Sequence, residues 1–407
     1  MRKVRLTRKA RRRRACIARV LTGLGTVLGL AAAHAAGQTA SQAPNPPDHG
    51  RLWQAYATRF ISADGRVIDP QVNDRTTSEG QGYALFFALV NNDRPRFDKL
   101  LGWTQVNLAE GDLGGHLPAW SWGKAKDGHW GILDADSASD SDLWIAYDLI
   151  EAGRLWSDHN YAYKGRSLAA LVARSEISSL PVFGAALLPG SSGFRFQRYW
   201  VLNPSYTPPF ILDRLTAIQP TEPWADVAAM FPVMIERSAK AGFAMDWVCY
   251  APADGFSPCQ ANGKSLLPPV GSYDAIRVYL WAGMIPDSNS LKARMLKALP
   301  GMNLYMAQHS APPEKIGSQG VPQSQVGPVG FSAAVLPYLE GNSNQPAVAQ
   351  QLVRLKSQLD EKSNLYGAGY GTGPTYYDQN LVLFGSGWME KRFQFGSSGE
   401  LLVRWSR

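Results

Sequence analysis

Three carboxylates stand where loops run into helices, far apart along the chain. Glu79 lies in Arg75-Thr-Thr-Ser-Glu-Gly-Gln-Gly-Tyr83, Asp140 in Asp136-Ser-Ala-Ser-Asp-Ser-Asp-Leu-Trp144, and Asp274 in Gly271-Ser-Tyr-Asp-Ala-Ile-Arg-Val-Tyr279. Two facing carboxyl groups suit cleavage of a glycosidic bond: one protonates the leaving oxygen, the other serves as base or nucleophile at the anomeric carbon. Each acid also has a structural reading. Thr76-x-x-Glu79 fits a capping box, and Asp140 and Asp274 fit an N-cap or first-turn position that complements the helix dipole. The dipole favours an ionised carboxylate, which suits a base at Asp274. An acid at Glu79 would need burial beside aromatics or a second carboxylate to hold its proton.

Other chemistries find less support. The six histidines form no H-x-H, H-E-x-x-H or Cys/His cluster for a zinc hydrolase, and no G-x-S-x-G marks a serine nucleophile. Gly367-Ala-Gly-Tyr-Gly-Thr-Gly373 resembles a phosphate loop but lacks a preceding strand and a following G-K-[ST], so it reads as a plain loop.

The elements that must position the acids are helical. Apolar residues recur with helical spacing over Ser78–Asn92, Asp142–Trp156, and residues 165–176, 224–240, 273–284, 290–299, 346–361 and 377–391. Strand-like alternation is confined to short pieces such as Phe194–Tyr199. Some of these helices, Tyr83–Val90 above all, are apolar around most of their circumference and must be enclosed by protein. An all-α chain holding both enclosed and amphipathic helices suggests an α/α barrel of helical hairpins more than a bundle. Alternate helices then run parallel inside, and their N-termini gather at one end, so three distant acids could converge. Loops rich in Trp, Tyr and Pro, such as Leu117–Gly123 and Asn203–Pro209, offer aromatic faces for sugar rings or simply core aromatics under loops.

The 407 residues, with 13 Trp, 16 Tyr and 15 Phe, exclude a disordered chain, and three cysteines exclude a disulfide-stapled miniprotein. The net charge of +8 is misleading, since ten of the 41 Lys+Arg lie in residues 1–19 and no acid does. That basic run, the apolar Val20–Ala33 and Ala33-His-Ala35 have the form of a secretory signal peptide; an uncleaved membrane anchor is the competing reading. Without residues 1–35 the balance is 31 Lys+Arg against 33 Asp+Glu, and the electrostatic case for nucleic acid disappears. Residues 36–48 read as a flexible lead-in, and 49–407 as one domain. Cys249 and Cys259 would close a small loop in an oxidising compartment, or remain two thiols.

The segments Gly65-Arg-Val-Ile-Asp69, Thr76-Thr-Ser-Glu-Gly-Gln81, Leu117-Pro-Ala-Trp-x-Trp-Gly123, Ser137-Ala-Ser-Asp140, Asn203-Pro-Ser-Tyr206, Ser272-Tyr-Asp-Ala-Ile-Arg-Val-Tyr279 and Gly327-Pro-Val-Gly-Phe-Ser332 occur in this order. Together they resemble glycoside hydrolase family 8, above all its periplasmic endoglucanases from bacterial cellulose synthesis operons, over roughly residues 50–405. The resemblance implies an (α/α)6 barrel with an open groove at one end, hydrolysing β-1,4-glucan with inversion and without metal or organic cofactor. It implies Glu79 as general acid and Asp274 as the base that activates water, with Asp140 holding the sugar at the cleavage subsite. Tyr206 and Arg277 would bind sugar or orient the base, and Trp120 and Trp122 would be stacking platforms. It further implies a periplasmic or secreted enzyme with a cellulose synthase or export complex as a potential partner. Two rivals remain open: hydrolysis of chitosan, xylan or mixed-linkage glucan, and a non-catalytic glucan-binding accessory protein.

Overall fold

The computed structural model describes residues 44–259, 261–262, 265–367 and 373–406. The leader over 1–35, the lead-in up to residue 43 and the centre of the Gly367–Gly373 run lie outside the described residues.

The helices are α1 His49–Phe60, α2 Ser78–Val90, α3 Arg94–Leu108, α4 Ser139–Leu155, α5 His159–Glu176, α6 Pro209–Ile218, α7 Trp224–Ser238, α8 Ala275–Met284, α9 Ser290–Ala298, α10 Pro300–Met306, α11 Val329–Ala334, α12 Leu336–Gly341, α13 Gln345–Ser357 and α14 Tyr376–Met389. They fall into two kinds. Every residue of α8 and α11 is buried, and every residue of α2 except Glu79. By contrast α3, α5 and α13 bury one stripe, such as Ala347, Val348, Gln351, Leu352 and Leu355 in α13. Enclosed and striped helices pack in pairs: α2 with α3, α4 with α5, α6 with α7, α8 with α9, α11 and α12 with α13, and α14 with α1. In the α4–α5 pair, a Cβ on Gly153 would come within 2.6 Å of the Ala162 nitrogen and one on Gly165 within 2.7 Å of the Ala146 oxygen. Only glycine lets those two backbones meet.

The enclosed helices are joined at their middles by aromatic rings. Trp281 of α8 lies 5.5 Å from Trp144 of α4, 5.9 Å from Phe210 of α6 and 5.3 Å from Phe384 of α14 between ring centroids. Phe384 in turn meets Phe86 and Phe87 of α2 at 5.4 and 4.7 Å. Such pairs add about 0.5–1.5 kcal/mol each beyond their buried area, and they hold the helix starts in fixed relation.

Strands are short and belong to the connections. One antiparallel sheet joins Thr76–Thr77, Ala119–Lys124 and Trp130–Ser137; another joins Trp200–Leu202, Val248–Ala251 and Gly255–Pro258. The expected strand at Phe194–Tyr199 reduces to a single bridge between Arg195 and Trp200, because the wholly buried Trp200–Leu202 takes the place in the sheet. Among the described residues no helix is long and apolar enough to cross a membrane.

Cys249 and Cys259 form a disulfide across the second sheet's hairpin, with Cα atoms 4.8 Å apart. Closing so small a loop restrains the unfolded chain, so Cys249→Ser/Cys259→Ser is expected to lose about 2–3 kcal/mol in urea unfolding, with the slope m as the check on the denatured state.

Asp148 of α4 is fully buried, and neither carboxylate oxygen has a hydrogen-bond partner among the described residues. Burial pushes its carboxyl well above the usual range, and Glu151 adds to the effect. The fold therefore prefers the neutral acid. That preference is free below the ordinary Asp value of about 4 and costs stability as the pH climbs toward the raised folded-state value. Asp148→Asn, neutral at every pH, is expected to raise Tm at about pH 8 and to change it little at about pH 4; thermal melts at both values test this.

Candidate active site

None of the three acids serves as the N-cap side chain of its helix. Thr77 caps α2, its hydroxyl accepting from the Gly80 N–H at 3.1 Å. Thr76, the cap expected from the sequence, instead donates to the Val67 carbonyl at 2.6 Å and accepts from Arg66 Nε at 2.9 Å. Glu79 is thus left in the first turn with its carboxylate uncommitted to the backbone. Thr77 also pairs with Ser121, which brings Trp120 beside the start of α2. Asp140 sits in the first turn of α4, where its Oδ1 accepts from the N–H and hydroxyl of Ser141 at 2.8 and 3.3 Å. Asp274 occupies the N-cap position of α8 but makes no side-chain cap bond.

Arg277, one turn into α8 and 2% exposed, joins the three. Its Nη1 donates to Glu79 Oε2. Its Nη2 donates to Asp274 Oδ1 at 2.7 Å and to Ser205 Oγ at 3.0 Å, and lies 3.7 Å from Asp140 Oδ2. One guanidinium therefore faces three carboxylates. Burial nevertheless dominates: it pushes the Asp274 carboxyl up to about 7, with Arg277 opposing and Asp246 and Glu79 reinforcing the rise. Burial likewise lifts Asp140 to about 6, against Arg277 and with Glu79. The helix dipole favours an ionised Asp274, and burial works against it.

A cavity of about 740 Å³ opens over these groups, lined by Glu79, Asp140, Asp274, Arg277, Tyr206 and Trp120. Solvent reaches it, with 20% of the Glu79 side chain and 27% of the Asp274 side chain exposed. The helix starts of α2, α4, α8 and α14 all border it, as gathered N-termini require. Six of the seven expected site residues thus share one cavity.

Trp122 does not. Its ring stacks on Trp130 at 5.4 Å, meets Trp103 edge-on at 5.2 Å, and lies 4.7 Å from the Arg66 guanidinium. With protein against its faces it is no sugar platform in this cavity, whereas Trp120 lines the cavity, with the Arg75 guanidinium 5.4 Å from its ring centroid.

The sequence profile of the glycosyl hydrolases family 8 matches residues 23–391. The chain belongs to glycosyl hydrolase family 8. An "Endoglucanase" of Xanthomonas axonopodis pv. citri is 42% identical to this family 8 hydrolase over 391 residues, spanning 95% of this chain and 97% of the relative. An "Endoglucanase" of Escherichia coli O157:H7 is 42% identical over 356 residues, spanning 87% and 91%. Among solved structures, the endo-1,4-D-glucanase from Vibrio fischeri ES114 superposes with a TM-score of 0.76 at 37% identity, covering 88% of this chain and 99% of that one.

The family 8 site contains residues that sequence reasoning passed over. Tyr273, Tyr376 and Tyr377 also line the cavity. The last two open α14 behind a legible signal, Thr375-x-x-Asp378, in which the Asp378 N–H donates to the Thr375 hydroxyl at 3.2 Å. Ser205 was within reach of the sequence as well: Asn203 turns the chain by accepting from the Ser205 N–H at 3.0 Å and from its hydroxyl at 2.8 Å. Tyr83, four residues after Glu79, accepts from Arg277 Nη1 at 3.3 Å. Phe86 and Phe87, which follow Glu79 in α2, belong to the central aromatic cluster.

Proposed function

We propose that this family 8 hydrolase is an inverting endo-β-1,4-glucanase that works beside bacterial cellulose synthesis and export, in the periplasm or outside the cell after removal of residues 1–35. Residues 49–407 form its single catalytic domain, an (α/α)6 barrel; the six helix pairs and the rings joining their enclosed members support that closure. The reading is carried by one observation: Glu79 and Asp274, on different helices, meet the two ends of a single guanidinium inside a solvent-reached cavity of about 740 Å³.

Glu79 donates its proton to the glycosidic oxygen as the bond to the anomeric carbon breaks. Asp274 takes a proton from the water that attacks the opposite face, which inverts the configuration. The acid must carry its proton when sugar arrives, so the Arg277 Nη1 contact gives way to the glycosidic oxygen. Asp140, 3.7 Å from the same guanidinium, holds the ring hydroxyls at the point of cleavage, and Trp120 and Tyr206 offer ring faces to neighbouring sugars. One observation favours a second reading in which the two carboxylates exchange roles, because the carboxyl lifted to about 7 is Asp274.

Carboxymethylcellulose hydrolysis tests the proposal, with chitosan, xylan and mixed-linkage glucan in parallel. Viscosity falling ahead of reducing-end release, and an α-anomer as the first NMR-visible product, are expected. A β-anomer would refute inversion, preference for another polymer would refute the substrate, and glucan binding without cleavage would establish the accessory role.

A further inference from the structure

The start of α8 raises a question that the three acids do not answer: what caps it, if Asp274 does not. The answer is Asp246, from 28 residues upstream on the segment between α7 and Val248–Ala251. Its Oδ1 accepts from the N–H groups of Ser272 and Ala275 at 2.7 and 2.8 Å, and its Oδ2 accepts from the Ser272 hydroxyl at 2.7 Å. The carboxylate is 7% exposed, and its own N–H donates to the Val270 carbonyl at 2.9 Å. The approach is close: a Cβ on Gly271 would come within 2.1 Å of the Ala244 oxygen. The next residue, Trp247, lies 6.3 Å from Tyr206 between ring centroids, so the same strap supports a second cavity residue.

We propose that Asp246 is the positioning residue for the catalytic base: by capping α8 from another part of the chain it releases the Asp274 side chain into the cavity, and it places a second carboxylate behind that one. The proposal rests on the reading of Asp274 as the base. A residue that held its own helix cap would have an oxygen turned to backbone N–H groups, unavailable to a water. With the cap supplied from elsewhere in the chain, the Asp274 side chain bonds, among the described residues, to Arg277 and can accept a proton from the cavity side. The charged and titratable groups facing Asp274 are Arg277 on its own helix, Glu79 from α2, Asp140 from α4, Tyr206 from the turn before α6, Tyr377 from α14, and Asp246. Of these, Asp246 is a carboxylate that faces the protein rather than the cavity, so substrate does not displace it.

The test is the pH profile of kcat/KM for Asp246→Asn, whose amide oxygen keeps two cap bonds and whose charge is gone. Removing a negative charge makes Asp274 easier to ionise, so the acidic limb is expected to move down by roughly one pH unit, with kcat reduced roughly ten-fold and KM little changed. An acidic limb that stays in place while Tm falls would show a purely structural role and overturn the proposal. Should Asp246→Asn fail to fold, Ser272→Ala retains the charge and removes one anchor. A several-fold loss of kcat at constant KM supports the proposal, and unchanged kcat overturns it. Asp274→Asn separates the two levels. Retained turnover there overturns the base reading and this proposal together; an inactive Asp274→Asn beside an unshifted Asp246→Asn overturns this proposal alone.

Discussion

Replacing Asp274 by Asn is expected to lower kcat on carboxymethylcellulose by about 10²–10⁴-fold, the usual contribution of a positioned acid or base, without destabilising the fold. Both halves follow from the site. Asp274 makes no cap bond to α8, and burial already lifts its carboxyl to about 7, so a neutral isostere removes a solvation cost and takes nothing from the helix. Tm at or above that of the parent, measured together with the loss of kcat, separates this outcome from misfolding. Glu79→Gln is expected to lose a similar factor on cellulose and far less on a glucoside whose leaving group needs no proton, since only the acid's role is bypassed by a good leaving group. If Asp274→Asn, rather than Glu79→Gln, keeps its rate on the activated substrate, the roles are exchanged. Retained cellulose hydrolysis in both variants would remove the two carboxylates from the chemistry altogether.

The parts of this site that were legible in the sequence share one property: they are encoded locally. The start of α2 is written in Thr76–Gly80, and the all-round apolar stretch after it correctly implied an enclosed helix. Even there the cap moved by one residue, from Thr76 to Thr77, because Thr76 is held by Arg66 and the Val67 carbonyl, ten and nine residues away. Proline misled where its second role was overlooked. Asn203–Pro209 reads as a loop, yet Pro204 and Pro209 each occupy a helix's first position, where the missing N–H costs nothing, and α6 follows directly. Helices α1 and α3 went unrecognised although their buried residues recur at helical spacing, Leu52, Trp53, Tyr56, Ala57 and Phe60 in the first and Phe97, Leu100, Leu101, Thr104 and Leu108 in the second.

Contacts between distant parts of the chain were not legible. Nothing near residue 246 announces that its carboxylate caps a helix starting at Ala275, and nothing near Trp122 announces that Trp103, Trp130 and Arg66 close over its ring. The physical roles of Trp120 and Trp122 differ although the two lie two residues apart. Burial alternates along their strand and leaves both rings half-buried, but the register to Trp130–Ser137 shifts at Ser121, and it is the neighbours of each ring that differ. The helix dipole, a local property, is opposed at Asp274 for the same reason. Burial and the charges of Asp246 and Glu79 outweigh it, and these arrive from elsewhere in the chain.

Arg277 is where these long-range influences balance, and its removal is expected to have the largest effect on stability and chemistry together. Arg277→Leu leaves Glu79, Asp140 and Asp274 grouped without their cation. Breaking a buried pair by taking one partner away costs about 3–5 kcal/mol, because the remaining charges stay desolvated. The chain's escape is to bind protons. Arg277 is the largest influence that lowers Asp274 and Asp140 against burial, so without it both carboxyls rise further, and the acidic limb of kcat/KM moves above about 7. The direction is opposite to that expected for Asp246→Asn, which gives the pair of variants its power: one removes a positive neighbour of Asp274, the other a negative one. A folded-state value raised above the unfolded one also means that the stability lost in Arg277→Leu is regained as the pH falls toward the ordinary carboxylate range of about 4. Denaturant melts at about pH 5 and pH 8 should therefore show the larger deficit at the higher pH. Arg277→Lys restores the charge but not the planar fork, and one ammonium cannot face Glu79 and Asp274 as two separate nitrogens do. It is expected to recover most of the stability and little of the turnover. Equal deficits at both pH values, or full turnover in the lysine variant, would mean that Arg277 serves as packing rather than as the cation that sets the charge of the three acids.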